Sequence, residues 1–450
     1  MIINHSLIYL LVKIANAGLG FYTTVYLTSY LEPNEYGEYS QIISLTLMIG
    51  AVFYLPITAS VTRFYQQKND KHEFLKVISF LYLISSTVVV ISSWIIYIIL
   101  NDSDGIFTVT LLLLLKGLHD LSLEINRASL KPIRYGMQST FQSIIFVVFL
   151  HYNVDIEKNT VLHLLIITYF SSVVVFYRVK KIKTFNTQHL YESINYGKTL
   201  IPVYFVGFLF QLIDRQIIAY LSSSENLAYY QVVSMLSQSL LLLVISSVAM
   251  SCYPLLVKNY GLNTFDKINA QVFYVIIGIS IPAVFGFIAV TEDIILIFFG
   301  QIYFDAVKDI IWIVPISVFN LGMAANYFDF SFKLTNKNLK QIRIYIIPIA
   351  VVLIGNFTFI SSFGLKASAL SFFIASVIMI ISTIYEGRKY LKLFVDVNYT
   401  VIVTFASFIM YASIIQLNIN ELWLNMALKI ILGGVIYALL VGVYIWRKFR

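Results

Sequence analysis

Charged side chains are scarce in this chain of 450 residues: Asp, Glu, Lys and Arg make up 12% of it, whereas 59% of the residues are hydrophobic. Soluble domains carry about twice that share of charge, so the composition excludes an ordinary water-soluble fold. The mean hydropathy of +0.82 indicates instead an all-α protein that crosses a membrane many times.

Groups that bind metals or nucleotides are also few. A single cysteine, Cys252, excludes an internal disulfide and leaves too few thiols for a cysteine-based metal site. Gly197, Lys198 and Thr199 resemble the end of a phosphate-binding loop, but Glu192 stands where that motif needs its first glycine. The histidines are scattered, without the i, i+4 pairing of a helical metal site: His5, His72, His119, His151, His163 and His189. We therefore expect no metal, no cofactor and no ATPase site.

Long segments outside the membrane are missing as well. A helix needs about 20 mainly apolar residues to cross the hydrocarbon core, and runs of this kind predict about fourteen transmembrane helices. No connection between them exceeds roughly 20 residues, which leaves little room for the extramembrane catalytic loop of most sugar- or lipid-modifying membrane enzymes. The first apolar run is too long for a cleavable signal peptide and is expected to remain as an anchor.

Basic residues alternate between loops, as the positive-inside rule requires. One set of loops and the C-terminal tail hold most of the 31 Lys and Arg residues, whereas the intervening loops contribute only Lys158, Lys308 and Lys366 and are rich in Asp and Glu. Both termini are therefore predicted to be cytoplasmic. The net charge of +8 follows from this topology and does not indicate nucleic-acid binding.

An internal repeat indicates duplication. The pattern Y-L-x3-E-x3-Y-x-Q-[IV]-[IV]-S begins at Tyr30 and again at Tyr220. Six predicted helices separate the copies, so both halves cross the membrane in the same direction as parallel repeats. We predict a six-helix lobe over residues 1–190, a second over 191–390, and two additional transmembrane helices over 391–450.

Charge inside a span is costly and marks a candidate functional site. Lys116 lies about 15 Å along its helix from the outer end, near the membrane midplane, and Asp120 and Glu124 follow at i+4 and i+8 on one face. One interpretation is a structural ion pair of Lys116 with Asp120. The other is a cation that lines a cavity and meets an anionic substrate.

Other charges in or near spans are open to the same two interpretations. Asp214 and Arg215 form either an intramembrane pair or a site, and Arg63, at a cytoplasmic helix end, either reflects topology or contacts substrate. Lys13 and Lys429 are shallow enough to snorkel to the surface. Amides that could line a sugar-compatible path, or bridge helices, are Asn16, Gln211, Asn320 and Asn326.

Three segments carry a resemblance to a known family. They are LEPNEYGEYSQIISL from Leu31, RASLKPIRYG from Arg127, and YGKTLIPVYFVGFLFQLIDRQIIAYLSSSENLAYYQ from Tyr196. The chain resembles, over essentially its whole length, the polysaccharide exporters and O-antigen (Wzx-type) flippases of the multidrug/oligosaccharidyl-lipid/polysaccharide exporter superfamily.

The resemblance implies a flippase of the bacterial inner membrane. Its substrate would be an undecaprenyl-diphosphate-linked oligosaccharide, such as an O-antigen unit for lipopolysaccharide, moved to the periplasmic leaflet by alternating access through a cavity between the lobes. Membrane lipids and other polysaccharide assembly proteins are the implied partners. Asp214 and Arg215 resemble an Asp-Arg pair of the family, whereas the choice of Lys116 comes from the residues alone.

We predict four substrate-binding cations, Lys116, Arg215, Lys13 and Arg63, and three carboxylates for coupling or ion pairing, Asp120, Glu124 and Asp214. Two other functions stay open. A cation-coupled multidrug or small-solute antiporter of the same superfamily would favour an acidic cavity. A membrane-embedded polysaccharide polymerase or ligase would need a catalytic constellation that the short loops do not provide.

Overall fold

The chain folds into helices joined by short connections. A computed structural model describes residues 2–100, 104–153, 156–176, 187–335 and 337–449, and this part contains no β-strand. Its helices are α1 (Ile2–Tyr30), α2 (Pro33–Phe53), α3 (Leu55–Phe64), α4 (Lys71–Leu100), α5 (Asp104–Ala128), α6 (Pro132–Tyr152), α7 (Lys158–Phe176), α8 (Thr187–Leu221), α9 (Ser224–Ser237), α10 (Leu243–Asn259), α11 (Phe265–Phe298), α12 (Gln301–Val307), α13 (Ile313–Met323), α14 (Phe330–Leu334), α15 (Ile342–Phe363), α16 (Leu365–Gly387), α17 (Val397–Ile414) and α18 (Leu422–Phe449).

Proline and aspartate residues explain where several helices begin. Pro33 and Pro132 stand at the first position of α2 and α6, where a missing N–H costs nothing and the fixed φ suits a helix. Asp70 precedes α4 and accepts hydrogen bonds from the backbone N–H groups of Glu73 (3.0 Å) and His72 (2.9 Å). These bonds favour the ionised carboxylate and hold the pKa of Asp70 below its ordinary value.

The chain divides into two compact units, unit 1 (Met1–Ala219) and unit 2 (Tyr220–Arg450). In unit 1, α1 packs against α6, and α5 packs against α3, α6 and α7. The core between α3, α4 and α5 includes Val61, Phe74 and Ile78, each 0% exposed. A Cβ at Gly117 of α5 would lie 2.7 Å from the Tyr54 ring, so α5 approaches the α2–α3 junction as closely as it does only because residue 117 is glycine.

Unit 2 is organised around α11, which packs against α10, α17 and α18, while α15 and α16 form a second close pair. Tyr327 is fully buried, and its hydroxyl lies 2.9 Å from Asn269 Oδ1 and 2.8 Å from the Phe394 carbonyl oxygen. A polar group that is partnered in this way can be buried at little cost.

Ten helices in the described part of the chain are long and apolar enough to cross a membrane, or eleven if the bent pair α2–α3 is one span. The all-α polytopic class predicted from composition is confirmed. The number fourteen stays a prediction, as do the lobe boundaries at 190 and 390.

Three long apolar stretches, residues 39–61, 227–257 and 310–332, are not continuous α-helices. The first bends by 49° between α2 and α3, where Pro56 lies in the first turn of α3 and its ring disturbs a continuing helix. The other two contain π-helical turns, Gln238–Leu242 and Ala324–Phe328.

The interpretation of Lys429 as a snorkelling residue is wrong. Its Nζ lies 2.8 Å from Asp293 Oδ2, and the two side chains are only 7% and 4% exposed. Asn425 donates a second hydrogen bond to Asp293 (2.9 Å). These two partners satisfy the carboxylate, and α11 continues through Asp293 to Phe298.

Candidate functional site: two polar cavities along α5

Helix α5 carries the polar side chains from which the candidate site is built. His119 Nδ1 lies 3.0 Å from Ser172 Oγ on α7, and Asn126 donates a 2.7 Å hydrogen bond to Gln138 Oε1 on α6. All four side chains are buried. These bonds hold α5 at a fixed rotation against α6 and α7, because any other rotation would leave buried polar groups without partners.

Lys116 and Asp120 form an intrahelical ion pair on α5, with 2.5 Å between Nζ and Oδ2. The exposed fractions of the two side chains are 24% and 41%. Lys116 also lines a cavity of about 260 Å³ within unit 1. The two interpretations of Lys116 are therefore compatible in geometry: it is ion-paired and it borders a cavity.

The wall of this first cavity is rich in amides and hydroxyls. Asn16 of α1 donates to Ser139 Oγ (2.7 Å), and Gln142 of α6 donates to Thr168 Oγ1 (3.3 Å). Other polar lining residues are Thr23, Thr24, Tyr39, Thr46, Ser143 and Tyr169. Such a wall offers hydrogen-bond donors and acceptors to hydroxyl-rich or phosphate-bearing groups, with Lys116 as its one charged residue among those described.

A second polar cavity of about 650 Å³ lies two turns along α5 and is lined by Arg63, Glu124, Arg127, Tyr196 and Tyr204, together with residues of α3. Arg127 Nη2 pairs with Glu124 Oε2 at 2.9 Å, and the Thr62 hydroxyl also donates to Glu124. Two guanidinium groups thus face one carboxylate, so the wall carries one excess positive charge.

Arg63 carries that excess charge. It is exposed, and within the described part of the chain it has no hydrogen bond or ion pair. A guanidinium has five N–H donors in a planar fork that matches phosphate oxygens. Arg63 can therefore contact an anion without first breaking an internal pair, which Lys116 cannot do.

The other predicted residues lie elsewhere. Asp214 and Arg215 on α8 are 2% and 6% exposed, the Asp214 carboxylate accepts from the Arg215 backbone N–H (2.8 Å), and Arg215 Nε has no partner among the described residues. Lys13 is exposed on α1. None of these three lines either cavity.

Of the four amides predicted to line a path or bridge helices, Asn16 lines the first cavity. Asn320 bridges α13 and α16 through Ser376 Oγ (3.1 Å), and Asn326 donates to the Gly322 carbonyl of its own helical segment (2.9 Å). Gln211 is exposed on α8.

Apart from Asn16, the uncharged residues of the site were not predicted from the sequence. Tyr39 was noticed only as a member of the repeat, and Gln142, Tyr169, Tyr196 and Tyr204 gave no signal in a chain with 32 tyrosines. The described residues include no group of three or more His, Cys, Asp or Glu side chains that could hold a metal ion.

Comparison with known proteins assigns the fold. Residues 2–124 match the family described as polysaccharide biosynthesis protein. No curated protein sequence matches the chain.

Several solved structures are similar. The structure described as lipid II flippase MurJ, in an inward closed conformation, is 16% identical and superposes over 100% of both chains with a TM-score of 0.77. An inward-facing multidrug resistance MATE transporter is 12% identical, covering 86% of this chain and 94% of its own, with a TM-score of 0.60. A Vibrio cholerae MATE transporter is 11% identical over 86% and 95%, with a TM-score of 0.59. The resemblance predicted from the sequence is confirmed: residues 2–124 match the polysaccharide biosynthesis protein family, and the helices have the fold of the MurJ flippase and the MATE transporters.

Proposed function

We propose that this protein is a flippase that moves an undecaprenyl-diphosphate-linked oligosaccharide, an O-antigen unit or a related surface polysaccharide precursor, from the cytoplasmic to the periplasmic leaflet of the inner membrane. The observation that carries the proposal is the placement of a cation at each of two polar cavities along α5, Arg63 at one and Lys116 at the other. The match to a polysaccharide biosynthesis family and the likeness to a lipid II flippase support it.

The chemistry of the substrate explains why such cavities are needed. A diphosphate and its sugars cannot enter hydrocarbon without losing their hydration, whereas the polyprenyl chain can remain in lipid. Lys116 and Glu124 are eight residues apart on α5, or about 12 Å along the helix. The diphosphate would first contact Arg63, which is free, and then Lys116 deeper in unit 1, with the sugars bound by amides and hydroxyls of the first cavity.

The Lys116–Asp120 pair gives a route to energy coupling. A phosphate that binds Lys116 competes with Asp120 for the same ammonium group, so binding of the anion would leave the Asp120 carboxylate available to another cation. Substrate binding and cation binding would then be linked through Asp120. Glu124 is a weaker candidate because Arg127 and Thr62 already hold it, and Asp214 lines neither cavity.

Deletion of the gene tests the function. Lipid-linked repeat units should accumulate on the cytoplasmic leaflet, where added glycosidase or periodate reaches them only after the membrane is opened. Wild-type protein should restore their exposure on the periplasmic side. Normal surface polysaccharide in the deletion strain would contradict the proposal.

Substitutions at Lys116 test the site. Lys116→Arg should retain most transport because it keeps the charge, whereas Lys116→Met should reduce it at least tenfold at equal protein level, equivalent to the loss of about 1.4 kcal/mol of binding to the transported anion. A Lys116→Met protein that transports like wild type would show that the lysine has only a structural role.

The second candidate function is that of a multidrug antiporter, since the MATE transporters share the fold. Lys116 and the excess charge of Arg63 would repel the organic cations that such an antiporter exports. Altered drug sensitivity with unchanged polysaccharide in the deletion strain would favour this alternative, and sugar transfer by the purified protein would favour a polymerase or ligase.

A further inference from the structure

We propose that a groove at the predicted cytoplasmic ends of α6 and α7 is a binding site for an anionic phospholipid. The groove is lined by Leu130, Lys131, Ile133, Arg134, Met137 and Val175, among others. It belongs to unit 1, but none of its residues lines either polar cavity. The proposal does not depend on the transported substrate.

The floor and walls of the groove are apolar and open to the surroundings. Ile133, Met137 and Val175 are 65%, 58% and 55% exposed, and the groove has a volume of about 630 Å³. In a membrane protein such a surface is covered by lipid chains, and a concave surface holds one chain in more contacts than a flat one does.

Two cations border the same groove, and none of the described residues that line it is acidic. Arg134 donates through Nη2 to the Phe176 carbonyl oxygen (2.7 Å), which fixes the guanidinium at the rim. The Lys131 side chain is exposed, and its ammonium group has no hydrogen bond or ion pair in the described part of the chain. Basic pockets next to apolar surface on the cytoplasmic side of transmembrane helices match a lipid with a negatively charged phosphate.

The connection between α5 and α6 adds an independent observation at Leu130. It closes α5 with two hydrogen bonds, from Lys131 N to the Asn126 carbonyl (3.1 Å) and from Leu130 N to the Arg127 carbonyl (3.0 Å). This Schellman arrangement puts Leu130 at the left-handed position, with φ of 55°, where glycine is the usual residue.

A leucine at this position therefore costs conformational energy that a glycine would avoid. Its side chain is 62% exposed, so burial in the protein core does not compensate. Contact of the Leu130 side chain with a lipid chain would offset this conformational cost. Strained backbone conformations are found where a functional contact outweighs their energetic cost.

The charge distribution of the loops places this groove in the cytoplasmic leaflet, which attracts basic residues through its anionic lipids. One Lys or Arg near such a surface contributes about 1 kcal/mol, so removal of Lys131 should weaken binding of an anionic lipid about fivefold. A zwitterionic lipid of the same chain length should bind equally to the wild-type protein and to the variant without Lys131.

The test is lipid binding by the purified full-length protein in detergent, measured by native mass spectrometry with phosphatidylglycerol and with phosphatidylcholine. Lys131→Gln should weaken phosphatidylglycerol binding about fivefold, whereas Lys131→Arg should not. Lys258→Gln is the matched control, because Lys258 is also exposed and predicted to be cytoplasmic but lies at the end of α10. Leu130→Gly should weaken binding of both lipids without lowering the melting temperature.

Equal effects of Lys131→Gln and Lys258→Gln, or equal affinity of the wild type for the two phospholipids, would overturn the proposal. Undecaprenyl phosphate that outcompetes phosphatidylglycerol, with a competition that depends on Lys131, would identify a polyprenyl chain as the occupant and also overturn it. Since binding is measured without transport, none of these results depends on the proposed flippase activity.

Discussion

The buried pair of Asp293 and Lys429 gives the most quantitative prediction. It joins α11 to α18 across 136 positions of sequence, and Asn425 donates the second hydrogen bond to the same carboxylate. We expect Lys429→Met to destabilise unit 2 strongly, because it leaves the Asp293 carboxylate buried with Asn425 as its main remaining donor.

The magnitude follows from the geometry. Opposite unit charges separated by the observed 2.8 Å attract by roughly 6 kcal/mol at an effective dielectric constant of about 20. Desolvation of the two ions offsets most of this gain, so the pair contributes little net stability, but loss of one partner costs about 3–5 kcal/mol. The double variant Asp293→Asn with Lys429→Met leaves neither charge buried and should lie within about 1–2 kcal/mol of wild type.

A double-mutant cycle on the free energy of unfolding in mixed detergent micelles measures this coupling directly. Lys308→Met is the matched control, since Lys308 is an exposed lysine at the end of α12. If Lys429→Met costs no more than Lys308→Met, or if the two single effects simply add, the ion pair does not hold α18 to α11 and the reasoning is refuted.

Two further pairs of substitutions test the packing of α5 and the role of Arg63. Gly117→Ala should lower the free energy of unfolding by about 1–3 kcal/mol, because the new Cβ would lie 2.7 Å from the Tyr54 ring. Gly20→Ala is the control and should not lower it, because nothing lies within 4 Å of a Cβ at that position. Equal melting temperatures of the two variants would contradict the close approach of α5 to Tyr54. Arg63→Gln should weaken substrate binding several-fold without changing the melting temperature, because no internal partner is lost. Arg127→Gln should lower both substrate affinity and melting temperature, since it leaves Glu124 without its ion pair. Transport assays and melting curves on the same preparations distinguish these two variants.

Hydropathy predicts the helices because a transmembrane helix is specified locally, by about 20 apolar residues in succession. The bend between α2 and α3 also has a local cause, because Pro56 lies in the first turn of α3. The π-helical turns Gln238–Leu242 and Ala324–Phe328 contain no proline. They insert one residue per turn into an otherwise helical sequence, and nothing in the composition of these segments distinguishes them from α-helix.

The candidate site was predictable where its residues share one helix. Lys116, Asp120 and Glu124 stand at i, i+4 and i+8, so their common face could be read from spacing. The cavities themselves combine α5 with α1, α2, α3, α6, α7 and α8, from Asn16 to Tyr204. Which side chains meet there depends on the rotation and approach of whole helices, which short-range patterns do not specify.

Lys116 and Lys429 show which contacts of a charged residue can be predicted from the sequence and which cannot. Each is a lysine within a predicted span: Lys116 lies near the midplane, where an ion pair and a site both stayed open, and Lys429 was interpreted as a snorkelling residue. Lys116 has its carboxylate one turn away on the same helix, whereas Lys429 has its carboxylate 136 positions away on α11. A charge whose partner is local can remain beside a cavity, because the pair forms wherever the helix packs. A charge whose partner is distant fixes the packing of two helices, so we expect Lys429 to tolerate substitution only together with Asp293, and Lys116 to tolerate any change that keeps its charge.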